Sequence, residues 1–137
     1  MPDELREIEG HRCFIADAAG PVVRHVDAAR DIIVEALSHR AGVVVVPAAR
    51  LDDAFFQLRS GLAGEVLQKA ANYRRKFAVI GDVSDHTAAS NAFRDLVVES
   101  KRSDSFFFEP DLTALAERLA ALPPSSSAPA SSTPPAP

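Results

Sequence analysis

Short apolar runs alternate along this chain with longer segments in which apolar side chains recur every three or four residues. The short runs predict β-strands, and the periodic segments predict amphipathic helices. Two strands precede the first helix, and helices then alternate with strands in the order β-β-α-β-α-β-α-β-α. This order predicts an α/β fold with an open, largely parallel sheet of four or five strands and covering helices.

The predicted strands are rich in branched and aromatic side chains and lie at residues 13–16, 22–23, 43–46, 77–80 and 106–108. The predicted helices lie at residues 28–40, at 53–72, from a cap at Asp85 or Thr87 to about 99, and from a cap at Asp111 to 122. We therefore expect a single domain over residues 1–122. Residues 123–137 contain only Pro, Ser, Ala and Thr, which predicts a disordered tail because they offer too little apolar surface for burial.

The long helix predicted over residues 53–72 contains glycines that require an explanation. Gly61 and Gly64 lie inside the helical pattern, where each costs about 1 kcal/mol relative to alanine. The pattern leaves three interpretations open: close packing on a neighbouring element, a break into two helices at Ser60, or a low-bulk surface on which a partner docks. The residues of the candidate docking surface are Ser60, Gly61, Gly64, Glu65 and Gln68.

Ser60 lies where a second helix would begin if the segment breaks at Gly61. Its hydroxyl oxygen is then expected to accept a hydrogen bond from a free backbone N–H of the new helix. The same hydroxyl is a candidate phosphorylation site, because the unpaired amides and the dipole at a helix N-terminus favour a phosphate.

The ends of the predicted strands provide the alternative site. Ligands of open parallel sheets bind beyond the carboxyl ends of strands, and Asp82 follows the strand at 77–80. In this alternative the chain is a small-ligand-binding protein or an unrecognised enzyme, with Asp82, Asn72 and Arg94 as candidate ligand-binding residues. Asp82, Asp85 and His86 match no metal-binding spacing, so we predict no metal.

Composition removes several classes of function. A net charge of -4 gives no basic surface for nucleic acid, and the longest apolar run is far too short to cross a membrane. The polar N-terminus predicts no secretory signal, so the expected location is the cytoplasm. The chain has no dinucleotide-binding glycine motif, phosphate loop, nucleophile elbow or HExxH motif, and we predict no cofactor and no catalytic residue.

Two resemblances add to this interpretation. The sequences GLAGEVLQK at 61–69 and VIGD at 79–82 resemble a bacterial family catalogued as domain of unknown function 4180, over about residues 8–122. That family implies no known activity. The tripeptide Ser60-Gly61-Leu62, opening a helix between two strands, is similar to STAS domains of the anti-sigma-factor antagonist type.

In STAS domains a serine at this position is phosphorylated by a partner kinase, and the following helix docks on the partner. The resemblance therefore implies a STAS-like regulatory protein–protein interaction module with Ser60 at its site. A protein partner is expected, and a homo-oligomer is left open.

Overall fold

The computed structural model describes residues 3–123. Its strands are β1 (Glu4–Ile8), β2 (His11–Ile15), β3 (Val43–Pro47), β4 (Lys76–Ile80) and β5 (Phe106–Glu109). Its α-helices are α1 (Val26–Ser38), α2 (Asp53–Phe56), α3 (Leu62–Asn72), α4 (Ser84–Ala89), α5 (Asn91–Ser100) and α6 (Leu112–Ala120). Single turns of 3₁₀ helix span Ala48–Arg50 and Leu58–Ser60. Most of the predicted tail, residues 124–137, lies outside the described residues.

The five strands form one sheet in the order β1-β2-β3-β4-β5. β1 is antiparallel to β2, and every other neighbouring pair is parallel. The α/β fold class and the largely parallel sheet predicted from the sequence are therefore confirmed. β3 and β4 lie in the middle of the sheet, and their apolar runs are buried, as expected for strands covered on both faces.

Of the two predicted N-terminal strands, the one at 13–16 overlaps β2, whereas the one at 22–23 was wrong. The first strand is β1, which turns into β2 through Glu9 and Gly10, both with positive φ (50° and 81°). The predicted strand at 22–23 does not join the sheet, and Val23 forms only an isolated bridge with Leu51. β1 escaped prediction because it is an edge strand whose first four residues are exposed, so it carries no apolar run.

Two of the predicted helices are broken. The segment 53–72 forms α2, a 3₁₀ turn and α3, so the interpretation of a break near Ser60 is confirmed. The segment 85–99 forms α4 and α5, because extended backbone at Ser90 interrupts it. The predicted caps Asp85 and Thr87 were wrong: the Ser90 hydroxyl accepts the Phe93 backbone N–H at 3.1 Å and caps α5.

Helices cover the sheet on both faces. Apolar side chains of α1, α2, α3 and α5 pack with one set of strand residues, including Phe77 and Phe108. α6 packs on the other face, where Leu115 and Leu119 meet Val43, Val45 and Phe107. Right-handed crossovers between parallel strands in sequential order place their connecting helices on one face of the sheet. α6 follows the last strand and connects no strands, so among the helices of residues 3–123 it can cover the opposite face.

Arg50 fixes the loop between β2 and α1 from a buried position. It is only 7% exposed, and its guanidinium donates from Nε to the Pro21 carbonyl at 2.5 Å and from Nη1 to the Asp17 carbonyl at 2.7 Å. A Cβ on Gly20 would lie 2.5 Å from Arg50 Nη1. The loop therefore approaches the guanidinium so closely that Gly20 leaves no room for a side chain.

A second buried charge ties α6 to the edge of the sheet. Glu109 is 7% exposed, and its Oε2 accepts from Arg118 Nη1 at 2.7 Å and from Lys101 Nζ at 3.0 Å. Arg118 also donates from Nη2 to the carbonyls of Ser100 (2.7 Å) and Ser103 (2.9 Å). The guanidinium therefore donates hydrogen bonds both to the buried carboxylate and to backbone carbonyls at and just beyond the end of α5.

Candidate functional site

Two different faces of α3 follow from its helical period. Leu62, Ala63, Val66 and Ala70 are buried against the sheet and its neighbouring helices. The exposed residues on the opposite side form a surface that we call the α3 outer face. They are Gly64, Glu65, Gln68, Ala71 and Asn72.

A groove of about 500 Å³, which we call the α1–α3 groove, runs beside this face. It is lined by Val26 of α1 and by Gly61, Gly64, Glu65, Gln68, Lys69 and Asn72. Four of the five residues predicted for docking therefore line one groove. Ser60, the fifth, does not line it, whereas Asn72, predicted for the ligand-binding alternative, does.

The two glycines of this surface have different structural explanations. Gly61 adopts φ of 84°, the left-handed region, at the residue that joins the 3₁₀ turn to α3. A residue with a Cβ is strained there, so backbone geometry accounts for Gly61. Gly64 has no positive φ, and a Cβ built on it meets no atom within 4 Å. Close packing, one of the three interpretations of the sequence, therefore does not account for Gly64.

Ser60 connects the end of α2 to the beginning of α3. Its hydroxyl donates to the Ala54 carbonyl at 2.5 Å, and its oxygen accepts from the Leu62 backbone N–H at 3.2 Å. The hydroxyl thus accepts a helix-start N–H, as the sequence analysis expected, although Gly61 is the residue at the cap position. The serine is exposed, so the hydroxyl lies on the surface beside the α3 N-terminus.

The three residues of the ligand-binding alternative do not meet in one place. Asn72 precedes β4 and Asp82 follows it, so they lie at opposite ends of the sheet. Hydrogen bonds from the side chain and backbone of Ser84 lower the pKa of Asp82, and the backbone bond is 2.9 Å. Arg94 donates to Asn91 Oδ1 on its own helix at 2.9 Å. Asp82 and Arg94 make these contacts within their own segments.

A cleft that sequence reasoning missed lies where α2 approaches α4 and α5. The imidazole of His86 stacks on Phe56, with ring centroids 3.8 Å apart. Gln57, Arg59 and Ser90 contribute polar groups to the same cleft, which has a volume of about 510 Å³. Its walls come from segments about thirty residues apart and depend on both helix breaks, so no local pattern could have indicated it.

A metal-ligand cluster and a membrane-spanning helix are both absent from the described part of the chain. Within residues 3–123 no three His, Cys, Asp or Glu side chains are grouped closely enough to hold a metal ion. No helix formed by these residues is long and apolar enough to cross a bilayer.

Fold and site together define an α/β protein with a five-stranded, mostly parallel sheet and a candidate site formed by a helix face and its adjoining groove. The family described as a domain of unknown function (DUF4180) matches residues 8–119, and the chain belongs to that family. The resemblance to this family seen in the sequence is therefore confirmed. No curated protein and no solved structure matches the chain.

Proposed function

We propose that this chain is a STAS-like regulatory protein–protein interaction domain of the cytoplasm, and that it docks a protein partner through the α3 outer face. The observation that best supports the proposal is the open space around Gly64. Helix stability favours a larger residue at this position, and neither packing nor backbone conformation forbids one. Docking supplies a reason, because a low-bulk position lets the backbone of α3 come close to a partner.

The composition of the α3 outer face also supports docking of a protein. Gln68 and Asn72 present amides, which both donate and accept hydrogen bonds, and Gln68 Nε2 donates to Asn72 Oδ1 at 3.0 Å. Glu65 and Lys69 add one charge of each sign to the adjoining groove. A surface with small residues, amides and balanced charge suits a protein partner better than a polyanion, which selects for clustered cations.

Ser60 provides the regulatory element of the proposal. A phosphate on its oxygen removes the hydrogen that is donated to Ala54 and adds negative charge close to the first amides of α3. Both changes affect the segment that sets where α3 begins. We therefore propose that phosphorylation of Ser60 switches docking on the neighbouring outer face.

A pair of arginine substitutions tests the docking surface. Gly64→Arg places a long side chain in open space, so the domain should fold, with its unfolding temperature close to that of the parent protein. The matched control is Ala120→Arg, an exposed position on α6 at the opposite face of the sheet. Wild type and Ala120→Arg should capture the same host protein, and Gly64→Arg should lose it.

The captured protein, once purified, gives the quantitative measurement. We expect at least a tenfold loss of affinity for Gly64→Arg by titration calorimetry, which corresponds to about 1.4 kcal/mol. Equal affinity for the parent protein and Gly64→Arg would contradict docking through this face. Unfolding of Gly64→Arg would contradict the structural premise that the position is open.

The proposed phosphorylation of Ser60 requires a separate test. Protein isolated from its native host should contain a fraction heavier by one phosphoryl group, and Ser60→Ala should remove that fraction. Peptide mapping that places the phosphoryl group elsewhere, or its persistence in Ser60→Ala, would refute the regulatory part of the proposal while leaving docking intact.

Small-ligand binding in the Phe56–His86 cleft is the second candidate function. It is supported by the cleft volume of about 510 Å³ and by the polar groups of Arg59 and Ser90 on its walls. Native mass spectrometry of host-purified protein should then show a retained small molecule that Arg59→Glu loses. A host-purified protein of bare polypeptide mass would count against this candidate.

A further inference from the structure

The charges on α3 are arranged in a way that selects a partner. Glu65 precedes Lys69 by one helical turn, so the two lie about 6 Å apart along the axis. Residues four apart on a helix are neighbours on its surface, so the two share one flank of α3, and both also line the α1–α3 groove. Neither belongs to any ion pair formed among residues 3–123. Their charges remain available to a neighbouring surface with the opposite order.

A second α3 running antiparallel to the first offers that opposite order. We infer that the partner docked on the α3 outer face is a second copy of this chain, paired α3 to α3 about a two-fold axis. This inference rests on the docking function proposed above. The two-fold operation places Glu65 opposite Lys69 of the second copy, and symmetry repeats the ion pair with the roles exchanged.

The other flank of α3 fits the same operation in shape. An axis close to residue 68 places Gly64 opposite Ala71 of the second copy, and both residues are small and exposed. Helix axes can then approach to about 8 Å, the short end of the usual range for packed helices. Gln68 lies near the axis, where its amide meets the same amide, and an amide both donates and accepts hydrogen bonds. Charge, shape and hydrogen bonding are each self-complementary about one axis.

Charge exchange on the full chain tests the inference. Sedimentation equilibrium of wild type, from micromolar to millimolar concentration, should show a reversible monomer–dimer transition. Glu65→Lys and Lys69→Glu each convert two attractive pairs into two repulsive ones, and each should raise the dissociation constant of the dimer by about tenfold or more. The double variant that carries both substitutions should restore dimerisation, because it reverses both charges together. Thr113→Lys, an exposed position on α6, is the charge control and should leave the transition unchanged.

Several outcomes would overturn the pairing. Wild type that stays monomeric up to millimolar concentration refutes the pairing. A double variant that dimerises no more tightly than the single variants refutes it as well. A dimer that survives Gly64→Arg is formed through another surface and equally refutes it. Capture of a different protein by monomeric wild type, lost in Gly64→Arg, would overturn the second copy as partner and leave the docking function standing. A monomer whose Gly64→Arg variant loses no partner would refute both.

Discussion

Replacement of Gly64 by alanine should stabilise this protein. The residue is the third of α3, its backbone is helical, and a Cβ there meets no atom within 4 Å. The substitution therefore reduces the backbone freedom of the unfolded chain and introduces no clash in the folded one. Few core or loop substitutions in a folded domain are expected to act in this direction.

The size of the effect follows from helix propensity. Glycine is less favourable than alanine by about 1 kcal/mol in a helix interior, and the first turn realises only part of this difference. We therefore expect the free energy of unfolding to rise by about 0.5–1 kcal/mol. For a domain of this size that gain corresponds to an increase of about 2–5 °C in the unfolding temperature.

The assay is urea unfolding monitored by circular dichroism, with Gly81→Ala as a matched comparison. Gly81 has φ of 140°, and a Cβ there would lie 3.1 Å from the Cβ of Ala48. The same chemical change should lower the free energy of unfolding at Gly81 by about 1–3 kcal/mol. A loss of stability in Gly64→Ala would contradict this prediction, because it would show that the glycine is required for packing or conformation.

Three further predictions concern buried polar groups. Arg50→Ala leaves two loop carbonyls without their donor and should lower the free energy of unfolding by about 2–4 kcal/mol. The exposed control Arg59→Ala should change this free energy by less than about 0.5 kcal/mol. Equal effects of the two substitutions would contradict the role of the buried guanidinium. Arg118→Ala leaves Lys101 as the remaining cation beside Glu109 and should lower the free energy of unfolding by about 2–3 kcal/mol. In a double-mutant cycle, adding Glu109→Gln should recover part of this loss. Additive effects of the two substitutions would show that the side chains are not coupled. Burial, followed by the charge of Glu7, raises the pKa of the Cys13 thiol from 9.0 to about 12. The neutral thiol therefore contributes stability that is complete below pH 9 and is lost as pH rises towards 12, by up to about 1.4 kcal/mol per pH unit. The free energy of unfolding of Cys13→Ala should depend less on pH in this alkaline range. Equal pH dependence in Cys13→Ala and the parent protein would show that Cys13 is not responsible for the loss.

The parts of the fold that the sequence predicted are those in which local pattern and burial agree. The central strands carry continuous apolar runs because both of their faces are covered, and the predicted run at 77–80 lies within β4, Lys76–Ile80. β1 lacked this signal because it is an exposed edge strand that pairs on one side only. Its position depends on the tight turn at Glu9 and Gly10, and a turn containing a non-glycine residue with positive φ gives a weak sequence signal.

The candidate sites likewise include one that the local sequence pattern predicts and others that it does not. The α3 outer face was predictable because helical period alone decides which residues share a face. Asn72 and Asp82 of the ligand-binding alternative are close in sequence but are separated in the fold by the length of β4, which sequence spacing alone does not reveal. The Phe56–His86 cleft could not be predicted because its rings come from different segments and meet only in the folded chain.

Gly64→Ala also separates two meanings of a low-bulk surface. If docking requires only the absence of a large side chain, the added methyl group should leave affinity unchanged while stability rises. If two α3 helices approach to about 8 Å, the methyl group occupies the contact with Ala71 of the second copy, and the dissociation constant should rise several-fold. The dimer dissociation constant of Gly64→Ala, measured beside its unfolding free energy, therefore reports how closely the backbones approach. Tighter association in Gly64→Ala would contradict close approach at this residue and would leave the charges of Glu65 and Lys69 as the remaining basis for pairing.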